Sequence, residues 1–96
     1  MRPSQSLVLH RDQIGFIVSQ NHAKNPRIFG SVLDGTDTEL SDLDLLVETT
    51  DDTTLFDIAR MQNELQKLLQ VSVDVLTPNA LPQSFKAEIL RKAKRL

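Results

Sequence analysis

The chain contains no cysteine, which excludes a disulfide framework, a thiolate zinc site and a cysteine nucleophile, and fits a reducing compartment. It also lacks a dominant charge. Eleven Lys and Arg against 13 Asp and Glu leave a net charge of -2, so no broad basic field would drive binding to nucleic acid by phosphate neutralisation. A nucleic-acid partner is therefore not indicated. No apolar run approaches the roughly 18 residues of a membrane span, and Met1 to His10 shows no basic region followed by a long apolar stretch. The expectation is a cytoplasmic protein without a membrane partner. Internal repeats, low-complexity tracts and interdomain linkers are missing too. The two histidines, His10 and His22, lack metal-ligand spacing and read as surface residues.

What remains is ordinary for a globular protein: 40% apolar and 25% charged residues in a chain of 96. Residues 1–96 are expected to form one domain that buries somewhat under ~70% of its unfolded surface, enough for one core but not for two substrate-binding lobes. Something large must then come from a partner. Apolar spacing switches repeatedly between helical and strand-like periods, which predicts an α/β (α+β) fold with a small mixed β-sheet flanked by helices, in the order α-β-α-β-α-β-α. Ile14, Ile17 and Val18 mark a first helix that should stop before Pro26. Arg27–Phe29 follows as a short strand, then Gly30-Ser31 and one helical turn closed by Gly35. Asp42–Glu48 alternates as a strand, and Thr53–Leu69 places Leu55, Ile58, Ala59, Leu65, Leu68 and Leu69 near one helix face, with Asp51, Asp52 and Thr53 as its capping residues. Val71–Leu76 is a further strand. Leu81, Phe85, Ile89, Ala93 and Leu96 recur at helical spacing to the end of the chain, with Lys86, Arg91, Lys92, Lys94 and Arg95 as a wet basic face or, as the alternative, a phosphate or partner contact.

The functional signal lies between Ile28 and Glu48. Gly30 and Ser31 follow an apolar strand, where backbone N–H groups can open toward a phosphate, and Ser31 adds a hydroxyl donor. Ten residues further on, Asp42 and Asp44 stand two apart on a strand, so both carboxylates share one face about 6.6 Å apart. Asp74 is out of place among the β-branched residues of the later strand, which suggests a wet face or a ligand. Three clustered carboxylates beside a phosphate cradle point to Mg²⁺, which takes one or two carboxylates together with substrate phosphates. In a two-ion arrangement, Asp42 and Asp44 would bridge the metals, and Asp74 would complete the ion on the nucleophile side and accept a proton. Asp37 and Glu39 read as loop charges.

At these residues the chain resembles the nucleotidyltransferase superfamily that includes polymerase beta, and within it the minimal nucleotidyltransferase (MNT) domains. The family pattern is Gly-Ser, a gap near ten residues, Asp-x-Asp and a third Asp on a later strand; Gly30, Ser31, Asp42, Asp44 and Asp74 match it. The two pairs at one fixed gap should coincide on the order of once in 10⁵ starting positions. The resemblance runs from the first helix to Leu96. It implies Gly30 and Ser31 as nucleotide-binding residues, the three aspartates as catalytic metal ligands, two Mg²⁺ ions and ATP as substrate. It also implies an antitoxin role of the MntA type in HEPN/MNT toxin–antitoxin systems, exercised by moving AMP onto a tyrosine of a HEPN toxin partner. Arginines often follow the Gly-Ser pair in this family; Val32 and Asp34 stand there in this chain, so a cation would have to come from another segment or from the partner. Two alternatives stay open: transfer to a small-molecule hydroxyl, as in antibiotic-type nucleotidyltransferases, and a silent module that neutralises its partner by covering it.

Overall fold

The computed structural model describes all residues, 1–96. The chain runs through α1 (Pro3–Leu9), α2 (Arg11–Gln20), β1 (Ala23–Phe29), α3 (Ser31–Asp34), β2 (Leu43–Thr49), α4 (Leu55–Leu69), β3 (Val73–Leu76), a 3-10 turn (Pro78–Ala80), α5 (Lys86–Lys92) and β4 (Lys94–Arg95). The four strands form one mixed sheet in the order β3-β2-β1-β4. β1 is antiparallel to both β2 and β4, whereas β2 and β3 run parallel, as the long α4 crossover between them requires. The mixed sheet with flanking helices is the predicted class.

Period-2 alternation in β2 builds a core on each face of the sheet. Leu43, Leu45 and Val47 point into the main cluster, where Ile14 and Val18 of α2, Met61, Leu65 and Leu69 of α4, and Val73 and Val75 of β3 meet them. Leu46 points the other way and packs with Phe29 and Leu81 under Leu33, Ile89 and Leu90. The outer edge of β3 is closed by α4: the Gln62 and Gln66 side-chain carbonyls accept from the Val75 and Val73 N–H groups, each at 3.1 Å. Those bonds leave β3 little freedom to slide.

Several predicted boundaries differ, each for a tertiary reason. α2 is the predicted first helix, and α1 is a further helix before it that the sequence did not suggest, the two meeting at His10. Ser6 of α1 donates its hydroxyl to the Leu69 carbonyl at 2.8 Å, so α1 is held against the end of α4. β1 begins at Ala23 rather than Arg27 and includes Pro26, because a bulge between Lys24 and Arg27, with Asn25 at φ 50, accommodates the missing N–H. α4 is capped by Thr54, whose hydroxyl accepts from Asp57 N–H while the Asp57 carboxylate accepts from Thr54 N–H. That reciprocal cap turns Asp57 inward, so Leu55, predicted to face the core, is 88% exposed, and Ala59 is exposed as well. β3 starts at Val73 instead of Val71. The last helix ends at Lys92, and Lys94-Arg95 leaves the predicted helical face to pair with Arg27 and Ile28 on the open edge of β1.

Candidate active site

Gly30 follows β1 at φ 73, ψ -149, a positive-φ geometry that L side chains rarely adopt. A Cβ there would lie 2.3 Å from Asp44 Oδ2. Glycine is thus required twice at this position, by its backbone angle and by the carboxylate against it. Gly30 precedes α3, whose single turn carries half-buried Ser31 and closes with Gly35 at φ 74. The Asp34 N–H donates to the Gly30 carbonyl at 3.0 Å and closes the turn, while the N–H groups before it precede the first such bond.

β2 and β3 bring two of the predicted carboxylates side by side. Asp44 and Asp74 are register partners in the parallel pair, about 4.8 Å apart along the hydrogen-bonding direction, and Asp44 also lies opposite Phe29 on β1. Asp42 sits one residue before β2 and is exposed, as is Asp74. The strand was predicted to start at Asp42; it starts at Leu43, whose N–H donates to the Ser72 carbonyl at 2.8 Å. Burial raises the Asp44 carboxyl to about 6, with the neighbouring Asp74 and Asp42 charges adding to the effect. The three aspartates therefore share one electrostatic site with Gly30 at its wall.

The loop before Asp42 is more ordered than its composition suggests. Asp37 is buried, not a solvated loop charge, and accepts from the Ser4 N–H of α1 at 2.9 Å. That backbone bond holds its carboxyl below the usual carboxylate range. Thr38 N–H donates to Ser41 Oγ at 2.8 Å, and Ser41 N–H to the Thr38 carbonyl at 3.0 Å, folding the loop into a turn that delivers Asp42 to β2. Sequence reading missed Asp37 because a lone Asp in a polar loop carries no sign that a helix N-terminus will stand over it. It missed Gln62 and Gln66 for a similar reason: their partners lie on another element.

A cleft of about 320 Å³ opens beside Gly30, with Leu33 and Asp34 of α3 on one wall and Glu88, Ile89 and Lys92 of α5 on the other. A larger hollow of about 730 Å³ lies against α1 at Met1, Val8 and Leu9 and contains none of the five predicted site residues. No three acidic or histidine side chains lie close enough together to hold a metal ion as they stand. The donor set nonetheless fits Mg²⁺: hard oxygen ligands, a Gly30 wall that a Cβ would fill, and a half-buried carboxyl whose pKa is raised by burial and by two like charges that a dication would offset.

Comparison with known proteins bears on the family and the fold. The nucleotidyltransferase domain pattern matches residues 12–96. A Methanocaldococcus jannaschii protein provisionally named a protein adenylyltransferase is 38% identical over 80% of this chain and 83% of its own length. A second protein of that organism, with the same provisional name, is 34% identical over 65% of this chain and 63% of its length. A solved structure described as a provisional minimal nucleotidyltransferase superposes with a TM-score of 0.86 at 35% identity, covering 97% of this chain and 95% of the other. The MntA-HepT toxin–antitoxin structure shares the fold, with a TM-score of 0.67 at 17% identity over 92% of this chain and 69% of the other. The chain belongs to the nucleotidyltransferase domain family. It is a nucleotidyltransferase of the minimal type that sequence reading indicated.

Proposed function

We propose that this chain transfers AMP from ATP to a hydroxyl of a partner protein, a tyrosine of a HEPN-type toxin, and so acts as its antitoxin. The observation that carries the reading is Asp44, set against Gly30, paired in register with Asp74 and raised in pKa by the charges of Asp74 and Asp42. Relatives named as protein adenylyltransferases support a protein acceptor. In the reaction, the acceptor oxygen bonds to the α-phosphorus of ATP, the bond from that phosphorus to the bridging oxygen breaks, and pyrophosphate leaves. Asp42, Asp44 and Asp74 would hold two Mg²⁺ ions, which when bound supply activation of the hydroxyl and neutralise charge on the leaving pyrophosphate. Asp74, which is exposed, would take the hydroxyl proton. Asp44 must be ionised to act, which it is above about pH 6. Gly30, lacking a Cβ, lets the phosphates approach the backbone, and Ser31 offers its hydroxyl to them.

The test incubates the protein and its co-purifying partner with Mg²⁺ and ATP labelled on the α-phosphate. A labelled partner band that disappears with Asp42→Ala/Asp44→Ala is expected; a labelled small molecule found by mass instead would move the acceptor to the antibiotic-type class. A second reading is favoured by the lack of any Lys or Arg from Ile28 to Asp44: a silent module that inhibits its partner by complex formation. Partner inhibition that survives Asp42→Ala and needs no ATP, with no label transferred, would establish that reading in place of the first.

A further inference from the structure

The triphosphate of ATP brings several negative charges to a site whose nearest side chains are acidic. Between Ile28 and Asp44 the chain has no Lys or Arg, and Asp34 stands on α3 where the phosphates would pass Gly30. The Mg²⁺ ions proposed above would offset part of that charge, but the backbone N–H groups and the Ser31 hydroxyl bring no full positive charge to offset the rest. The cleft that opens from Gly30 contains a single cation, Lys92, on the last turn of α5 across from Leu33 and Asp34.

We infer that Lys92 supplies, from α5, the cation that grips the phosphate tail of the nucleotide at Gly30-Ser31. The inference rests on the proposed function and deepens it. Glu88, one turn earlier on α5, accepts from Lys92 Nζ at 2.9 Å, and that contact holds the Glu88 carboxyl below its usual range. Both side chains are about half exposed, so the pair is weakly bound and readily shared. An ammonium has three donors, so Lys92 can keep Glu88 while donating to a phosphate oxygen. Glu88 acts as a positioning residue, turning the lysine stem toward the cleft rather than into solvent. Ile89, between them on α5, packs into the small cluster with Phe29 and Leu46, which fixes α5 against the strand that ends at Gly30. The cation is therefore carried by an element rigidly tied to the glycine turn, although it lies some 60 residues away in sequence.

The test measures equilibrium binding of Mg·ATP, Mg·tripolyphosphate and AMP to the full chain by calorimetry, together with KM and kcat for ATP. Lys92→Ala is expected to weaken Mg·ATP and Mg·tripolyphosphate by a similar factor of about 10 or more, to raise KM by the same factor with little change in kcat, and to leave AMP binding unchanged. Lys92→Arg restores binding because it keeps the charge. Since Lys92 is half exposed, an unchanged thermal midpoint confirms that the variants fold. Wild-type affinity for Mg·ATP retained by Lys92→Ala would overturn the role of Lys92 while leaving the proposed function standing. Failure of the wild type to bind Mg·ATP at all would overturn both.

Discussion

The two faces of the sheet are built by the same strands and end in opposite states. On one face Leu43, Leu45 and Val47 are sealed beneath α2 and α4 in a dry cluster. On the other, Leu46 is just as buried but lies in a patch of three core residues, and Asp44, two residues earlier, sits half-buried beside Asp74 and Asp42. The difference lies in what covers them. A helix of 15 residues roofs the first face, whereas a single turn and a seven-residue helix roof the second. The site face is left partly open, and the charge repulsion it stores is tolerated because the first face provides most of the buried apolar surface. Strain at a working site offset by a conventional core elsewhere is a general pattern.

The strongest way to break the comparison is Gly30→Ala. A methyl group 2.3 Å from Asp44 Oδ2, on a backbone at φ 73, must displace the carboxylate. Transfer activity is expected to fall by about 10²-fold or more, since misplacement of a reacting group by 1 Å can cost that much, while far-UV circular dichroism stays near wild type. Activity within a few fold of wild type would mean that the Gly30 wall does not position Asp44. The next contrast sets Leu45→Ala against Leu46→Ala, both fully buried. The first should cost about 3 kcal/mol and the second about 2 kcal/mol, because the thinly roofed pocket around Leu46 can collapse more easily; urea unfolding reads both, and the reverse order would refute the picture of an unequal roof.

The smallest effect sharpens the comparison through pH. The folded Asp44 titrates at about 6 against a reference of 3.8. A carboxyl whose folded value is raised destabilises the fold when ionised, so its cost is full above about pH 6 and vanishes as pH falls toward 4. Asp44→Asn should therefore stabilise the metal-free protein at pH 8 by about 1 kcal/mol after allowance for solvent screening of a half-exposed group, and by nearly nothing at pH 4. Urea unfolding in the presence of a chelator measures the difference; an equal gain at both pH values would assign it to something other than the Asp44 charge. The wild type is expected to lose Mg²⁺ affinity below about pH 6, because proton and metal compete for the same oxygens.

Legibility followed the range of the interaction. The β2 alternation, the Gly30 turn and the Gly35 closure depend on neighbours within a few residues, and the structure places these elements within one residue of expectation. Leu55 shows the opposite case: helical periodicity put it on the core side, but the Thr54–Asp57 cap rotated the first turn and left it in water. Lys94 and Arg95 have helical neighbours and basic character, and nothing local says that β1 has an open edge waiting for them. Asp37 looked like every other loop carboxylate until α1 folded over it.

By itself the sequence determined the mixed α/β class and the spacing that lets a glycine turn and three aspartates be recognised, because strand period and positive-φ turns are written in adjacent residues. Tertiary structure decided that Asp44 and Asp74 would be register partners, that Asp44 would titrate near 6, and that a lysine from the last helix would share a cleft with Gly30. Those facts depend on which distant segments the packed sheet brings together and how much water it leaves between them, and neither is encoded at the position of any one residue.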